Sequence, residues 1–160
     1  MSQHHAAKAT PRPAHPLISV VVPVFNEEAC LEEVVRRLVA VFSGLPADLE
    51  MLFVDDGSDD GTLAVVEQLA AADDRIKFLS LSRNFGHQVA LAAGLENAAG
   101  DVVISMDGDL QHPPELIPTL IDRWRQGDDV VYTIRKANRG HGLKEAVSRS
   151  FYALLRRLTG

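Results

Sequence analysis

From residue 17 onward the chain alternates without a break between short apolar, β-branched runs and longer stretches with helical periodicity. The pattern predicts strands over 17–24, 50–54, 76–81, 102–106 and 130–134, and helices over 27–42, 62–72, 88–99, 113–126 and 143–158. The first helix places Leu31, Val34, Val35, Leu38 and Val41 on one face. The strand runs lack the polar alternation of a sheet with one wet face, so both of their faces must be covered. Strands of that kind, joined by helices, run parallel. The expected fold class is therefore α/β, a doubly wound, mostly parallel sheet with helices on both faces. In such sheets ligands bind outside the carboxyl ends of the strands, where the loops diverge.

Every unusual polar cluster falls at such an end. The first strand is followed by Pro23-Val24-Phe25-Asn26-Glu27, where Asn26 suits a helix cap and Glu27 and Glu28 suit the positive end of a helix. After the second comes Asp55-Asp56-Gly57-Ser58-Asp59-Asp60-Gly61, more acid than one cap needs. A carboxylate there can accept hydrogen bonds from a nucleobase N–H or a ribose hydroxyl. The same stretch admits a calcium-loop reading, with Asp56, Ser58, Asp60, Gly61 and Glu67 at positions 1, 3, 5, 6 and 12 of the loop. Against that reading, a strand rather than a helix enters the loop, and Ala64 stands where a water-binding ligand belongs. The third strand ends in Ser82-Arg83-Asn84-Phe85-Gly86-His87, where Arg83 is placed to meet phosphate and His87 reads as an ordinary first-turn helix residue. The fourth ends in Asp107-Gly108-Asp109-Leu110-Gln111-His112. Two ionised carboxylates this close repel each other, and a dication removes that penalty. Oxygen donors of this kind suit Mg²⁺ or Mn²⁺, which take one or two protein carboxylates and complete their shells with water and substrate phosphate.

Composition narrows the function classes. At 160 residues, 46% apolar and 24% charged, the chain is a globular domain with no apolar run long enough to span a bilayer. Its single cysteine, Cys30, rules out an internal disulfide and fits a reducing compartment. Residues 1–16 lack periodicity and read as a flexible leader, with His4-His5 a surface pair. Charge is split: residues 135–160 carry a net +6 and residues 1–134 a net −12. An acidic body with a basic, partly apolar end points to an anionic partner at that end, and nothing in it suggests nucleic acid. Gly-x-Gly-x-x-Gly and Walker loops are absent, and no aspartate ends the third strand as a phospho-acceptor domain requires.

Taken together, Val22-Pro23-Val24-Phe25-Asn26-Glu27, Val54-Asp55-Asp56-Gly57-Ser58, Arg83-Asn84-Phe85-Gly86-His87-Gln88, Asp107-Gly108-Asp109-Leu110-Gln111-His112-Pro113-Pro114-Glu115, and Arg135 with Lys144 and Ser148 resemble family 2 glycosyltransferases of the GT-A fold, whose core is Rossmann-like. The third and fourth segments resemble the polyprenyl-phosphate branch, which includes dolichol-phosphate mannosyltransferases and bactoprenol glucosyltransferases. The resemblance implies a nucleotide-sugar donor, UDP- or GDP-linked, held by Pro23, Phe25, Glu27, Asp55, Asp56, Arg83, Asp107 and Gly108. It implies Mg²⁺ or Mn²⁺ on Asp107, Asp109 and Gln111, and an acceptor lipid phosphate on Arg135, Lys144 and Ser148. Catalysis would rest on Asp107, Asp109 and Arg135, with inversion at the sugar and work at the cytoplasmic face of a membrane. The expected organisation is a leader (1–16), a donor-binding domain (17–142) and a basic amphipathic helix (143–160) suited to an anionic membrane surface.

Relatives of this kind continue with a further strand, amphipathic helices and usually two membrane spans, so the acceptor side is expected to be incomplete here. Two other functions fit the same residues. One is a family 2 transferase using a hydroxyl acceptor in cell-surface polysaccharide synthesis; the other is a non-catalytic module binding a nucleotide sugar or a cation.

Overall fold

A computed structural model describes residues 12–111 and 113–133. Its elements in chain order are β1 (Leu17–Val24), α1 (Leu31–Phe42), β2 (Asp48–Asp55), α2 (Thr62–Ala72), β3 (Ile76–Ser80), α3 (His87–Asn97), β4 (Val102–Ser105), a 3₁₀ turn (Pro114–Leu116) and α4 (Ile117–Arg125). The four strands form one parallel sheet in the order β3-β2-β1-β4. The chain builds outward from β1 through β2 to β3, then returns to place β4 on the other side of β1. The switch point therefore lies between the carboxyl ends of β1 and β4.

Side-chain alternation along the strands divides the core in two. Ile18, Val20, Val22 and Val24 of β1, with Leu49, Met51 and Phe53 of β2, pack against Leu31, Val34 and Leu38 of α1, Val66 of α2 and Ile117 and Ile121 of α4. Val21, Leu52 and Val54 point the other way, toward Ala90 of α3. Both faces are covered, which is why these strands read as continuous apolar runs. On its own face α3 lies very close to the sheet: a Cβ at Gly94 would collide with the Val21 side chain and come within 3.0 Å of Val54 Cγ2.

Several boundaries differ from those the sequence suggests. Helix α1 begins at Leu31 rather than residue 27, and its cap position is Cys30, with no side-chain cap. Asn26 takes a left-handed φ of 57° and caps nothing; its backbone N–H donates to Ser58 Oγ (3.0 Å), and its Oδ1 accepts from Asp59 N–H (2.9 Å). Glu27 N–H donates to Thr62 Oγ1 (2.8 Å), and Glu28 Oε2 accepts from Gly61 N–H (2.8 Å). Residues expected to start a helix are instead engaged in joining the loop after β1 to the loop after β2. Asp60 does serve the start of α2, accepting from Thr62 N–H (2.9 Å).

The helix expected over 113–126 is split into the 3₁₀ turn and α4, as suits a segment whose Pro113, Pro114 and Pro118 lack N–H donors. The strand expected over 130–134 is absent from 130–133, its last residue lying outside the described set. The helix expected over 143–158 also lies outside it. Of residues 1–16, the described part is engaged with the domain. Arg12 stacks on Trp124 (4.8 Å to the ring centre) and pairs with Asp129 (2.8 Å), and Pro16 C=O accepts from Asp48 N–H (2.9 Å). The chain divides into compact units at Val130/Val131. Among the described residues no helix is long and apolar enough to cross a membrane.

Candidate functional site

At the switch point a cleft of about 350 Å³ is lined by Pro23 near the end of β1, Phe25 and Glu27 after it, Asp56 after β2, Asn84 and His87 before and at the start of α3, and Asp107, Gly108 and Asp109 after β4. Its size is that of an ordinary small-ligand site. Four separate loops contribute, so the spacing of these groups is fixed by the sheet rather than by any one loop. Gly108 forms part of the floor, where a Cβ would stand 2.9 Å from Val24 Cγ1.

Asp56 organises the cleft. Its carboxylate, only 3% exposed, accepts from Phe85 N–H (2.8 Å) and Gly86 N–H (2.9 Å). Two charge-assisted bonds to backbone fix the loop that presents His87. The same loop crosses the turn at Gly57, which has φ 69° and leaves no room for a Cβ against the Arg83 backbone. Asp55, 2% exposed, faces away from this cleft. It accepts from Ser58 N–H (3.2 Å) and Ser80 O–H (3.4 Å), and with Phe25, Asn84 and Arg83 it borders an adjoining depression of about 380 Å³. Arg83 stacks on the Phe85 ring, 4.4 Å from its centre.

Asp107 and Asp109 both reach the cleft. Leu110 takes φ 60°, and Asp109 Oδ1 accepts from Gln111 N–H (3.0 Å), so the segment turns back on itself just past the strand. Gln111 is exposed and does not line the cleft. The following segment is anchored by Glu115, whose carboxylate takes a two-pronged contact from Arg37 of α1 (2.9 and 2.5 Å). That pairing holds the Glu115 carboxyl below its usual range.

The cleft is strongly acidic. Glu27, Asp56, Asp107 and Asp109 line it, and no lysine or arginine is among its described lining residues. The field extends to the cap of α1, where burial first, then the charge of Glu27 and of Asp109, push the Cys30 thiol up. An anionic ligand entering here needs a cation with it. Among the described residues no three His, Cys, Asp or Glu side chains converge as a metal cage. Two carboxylates in an open cleft are instead the donor set Mg²⁺ or Mn²⁺ uses when substrate phosphate completes the shell. The calcium-loop alternative finds no such convergence, because Asp56 is committed to Phe85 and Gly86, and Asp60 to Thr62.

Of the residues the sequence singled out, Pro23, Phe25, Glu27, Asp56, Asp107, Gly108 and Asp109 meet in one cleft, while Asp55 and Arg83 lie in the depression beside it. Arg135, Lys144 and Ser148 lie outside the described residues. Asn84 and His87 line the cleft although sequence reasoning had not placed them in the site. Their signal was membership of the Arg83-Asn84-Phe85-Gly86-His87 segment at the end of the third strand, which carries part of the resemblance.

Residues 19–159 match the model of the Glycosyl transferase family 2. Among curated relatives, the chain is 40% identical over 146 residues to the uncharacterized glycosyltransferase YkcC of Bacillus subtilis (strain 168), covering 91% of this chain and 45% of that protein. It is 43% identical over 144 residues to the undecaprenyl-phosphate 4-deoxy-4-formamido-L-arabinose transferase of Erwinia tasmaniensis, covering 89% and 44%. The chain thus spans a little under half the length of these relatives. Among solved structures, the mannosyltransferase PcManGT from Pyrobaculum calidifontis, in complex with GDP-Man and Mn²⁺, superposes with a TM-score of 0.61 at 23% identity over 83% of this chain and 39% of that one. That likeness concerns the fold, and the sequence matches carry the assignment: the chain belongs to the Glycosyl transferase family 2.

Proposed function

We propose that this chain is the donor-binding part of an inverting, metal-dependent transferase that moves a sugar from a nucleotide sugar to a polyprenyl phosphate at the cytoplasmic face of a membrane. The observation that carries the reading is the meeting of Phe25, Glu27 and Asp56 with Asp107 and Asp109 in one cleft at the switch point of the sheet. Phe25 offers a face to the base, and Glu27 offers an acceptor for ribose hydroxyls. Asp55 and Arg83 border a neighbouring space that shares Phe25 and Asn84 with the cleft, where the base or its edge is received. Asp107 and Asp109, with Gln111 close by in sequence, would hold Mg²⁺ or Mn²⁺, which neutralises charge on the departing diphosphate. The acceptor is supported by the names of relatives such as the undecaprenyl-phosphate transferase above. In that role Arg135, Lys144 and Ser148 bind the lipid phosphate.

The chemistry asks little of general base catalysis. A phosphate monoester is already ionised at neutral pH, so its oxygen forms the new bond to the anomeric carbon as the bond to the nucleoside diphosphate breaks. What remains is in-line placement and neutralisation of charge. A single displacement inverts the anomeric centre.

Calorimetry with UDP- and GDP-sugars in the presence and absence of Mn²⁺ tests the reading. Binding is expected to require the metal and to be abolished by Asp109→Ala; metal-independent binding retained by that variant would contradict the metal site. Lys144→Ala is expected to weaken a polyprenyl phosphate and leave the donor unaffected, and equal loss of both would remove the acceptor role.

A further inference from the structure

His87 is the first residue of α3, and its ring lines the cleft beside Asp107, Nε2 standing 3.8 Å from Asp107 Oδ1. Both side chains are about half exposed, at 51% and 43%. The backbone that carries the ring is fixed. Asp56 holds the N–H groups of Phe85 and Gly86, Gly86 turns with φ 97°, and the helix starts on the next residue.

A separation of 3.8 Å is too long for a direct hydrogen bond, but it brings a donor and an acceptor to the edge of the same small space in the cleft. A ring N–H donates and a carboxylate accepts. A hydroxyl group does both at once, accepting from the first and donating to the second. With hydrogen bonds of about 2.8 Å, a tetrahedral oxygen seats its two partners roughly 4.5 Å apart. Half-exposed side chains reach that spacing by a small rotation. The acidic side chains around them, Glu27, Asp56 and Asp109, offer acceptors only, so among the lining side chains His87 joins Asn84 in being able to donate, and of the two it is His87 that stands against Asp107.

We propose that His87 is a donor-binding residue that, together with Asp107, grips one hydroxyl of the nucleotide sugar. Nε2–H donates to the hydroxyl oxygen, and the hydroxyl O–H donates to a carboxylate oxygen of Asp107. The proposal rests on the donor-site reading above. The hydroxyl belongs either to the ribose or to the transferred sugar, and ligand choice separates the two.

Calorimetry at saturating Mn²⁺ on the wild type, His87→Ala and His87→Gln is the test, with thermal unfolding to verify that each variant is folded. His87→Ala is expected to weaken the nucleotide sugar about tenfold, the loss of one hydrogen bond. His87→Gln, which keeps an N–H donor, is expected to recover most of it. If the nucleoside diphosphate alone suffers the same loss, and its 2′- or 3′-deoxy analogue does not, the hydroxyl is on the ribose. If only the nucleotide sugar suffers, the hydroxyl is on the transferred sugar; either pattern supports the proposal. Unchanged affinity of His87→Ala for every ligand would overturn it. So would an equal loss for inorganic pyrophosphate, which has no hydroxyl of this kind. A wild type that binds no nucleotide sugar would instead refute the donor-site reading, before any variant is made.

Discussion

Asp56 combines two tasks that a sequence shows as one letter. As a carboxylate just past a strand end it signals a ligand site, and it does line the cleft. Its oxygens, however, are engaged by backbone N–H groups of Phe85 and Gly86, some thirty residues further on. Asp56→Ala is expected to cost roughly 3 kcal/mol in urea denaturation, since two charge-assisted bonds are lost and their N–H groups are left in a part-buried place. Asp56→Asn, which keeps one acceptor oxygen, should lose clearly less; equal losses would mean that the carboxylate is not what holds the loop. This explains how the site was legible and where it was not. Acids at strand ends declare themselves through the cost of burying charge, whereas an aspartate bound to distant backbone leaves no trace in residue identity, because every non-proline residue carries the same N–H. His87 reads in the sequence as an ordinary first-turn helix residue for that reason: only the fold, through Asp56, brings it opposite Asp107.

Among the elements, β1 and α2 are placed by sequence at their observed bounds, β1 because its apolar run is unbroken and α2 because a run of good helix formers lies between Gly61 and Asp73. The start of α1 and the segment after β4 are not, and both are places where tertiary contacts override local preference. Asn26, Glu27 and Glu28 bond across to the loop after β2, and three prolines with the Arg37–Glu115 pair shape the approach to α4. Helix α3 has no strong amphipathic stripe, and small residues let it sit on the sheet. Gly94→Val is expected to force α3 away from Val21 and Val54, destabilising the domain by about 1–3 kcal/mol. Because α3 carries His87, the same variant should weaken donor binding beyond the loss in stability. Wild-type stability in Gly94→Val would show that the close approach is dispensable.

Over the whole molecule, the acidity of residues 1–134 is moderated by carboxylates paired within the frame. Hydrogen bonding from Arg36, Thr62, Arg75 and Arg37 holds the carboxyls of Glu33, Asp60, Asp73 and Glu115 below their ordinary values. A depressed carboxylate stabilises the fold above its unfolded pKa, and that contribution is lost as pH falls through the folded value. The urea midpoint should therefore stay level from pH 7 to about 5 and drop below about 4, with the drop reduced in Glu115→Gln. A midpoint that rises on acidification would contradict the sign. The doubly wound architecture was legible because buried parallel strands leave so plain a pattern; the register that brings four loops to one cleft is a property of the assembled sheet.

The central claim is that Asp107 and Asp109 hold a divalent cation for a nucleotide diphosphate at the β1–β4 switch point. Paramagnetic broadening of backbone amide signals by substoichiometric Mn²⁺, with the nucleoside diphosphate present, tests it most directly. The account predicts broadening centred on Gly108, Asp109 and Leu110, reaching His87 and Phe25, and lost in Asp109→Ala. Broadening centred instead on Ser58, Asp60 and Glu67, and retained in that variant, would contradict it.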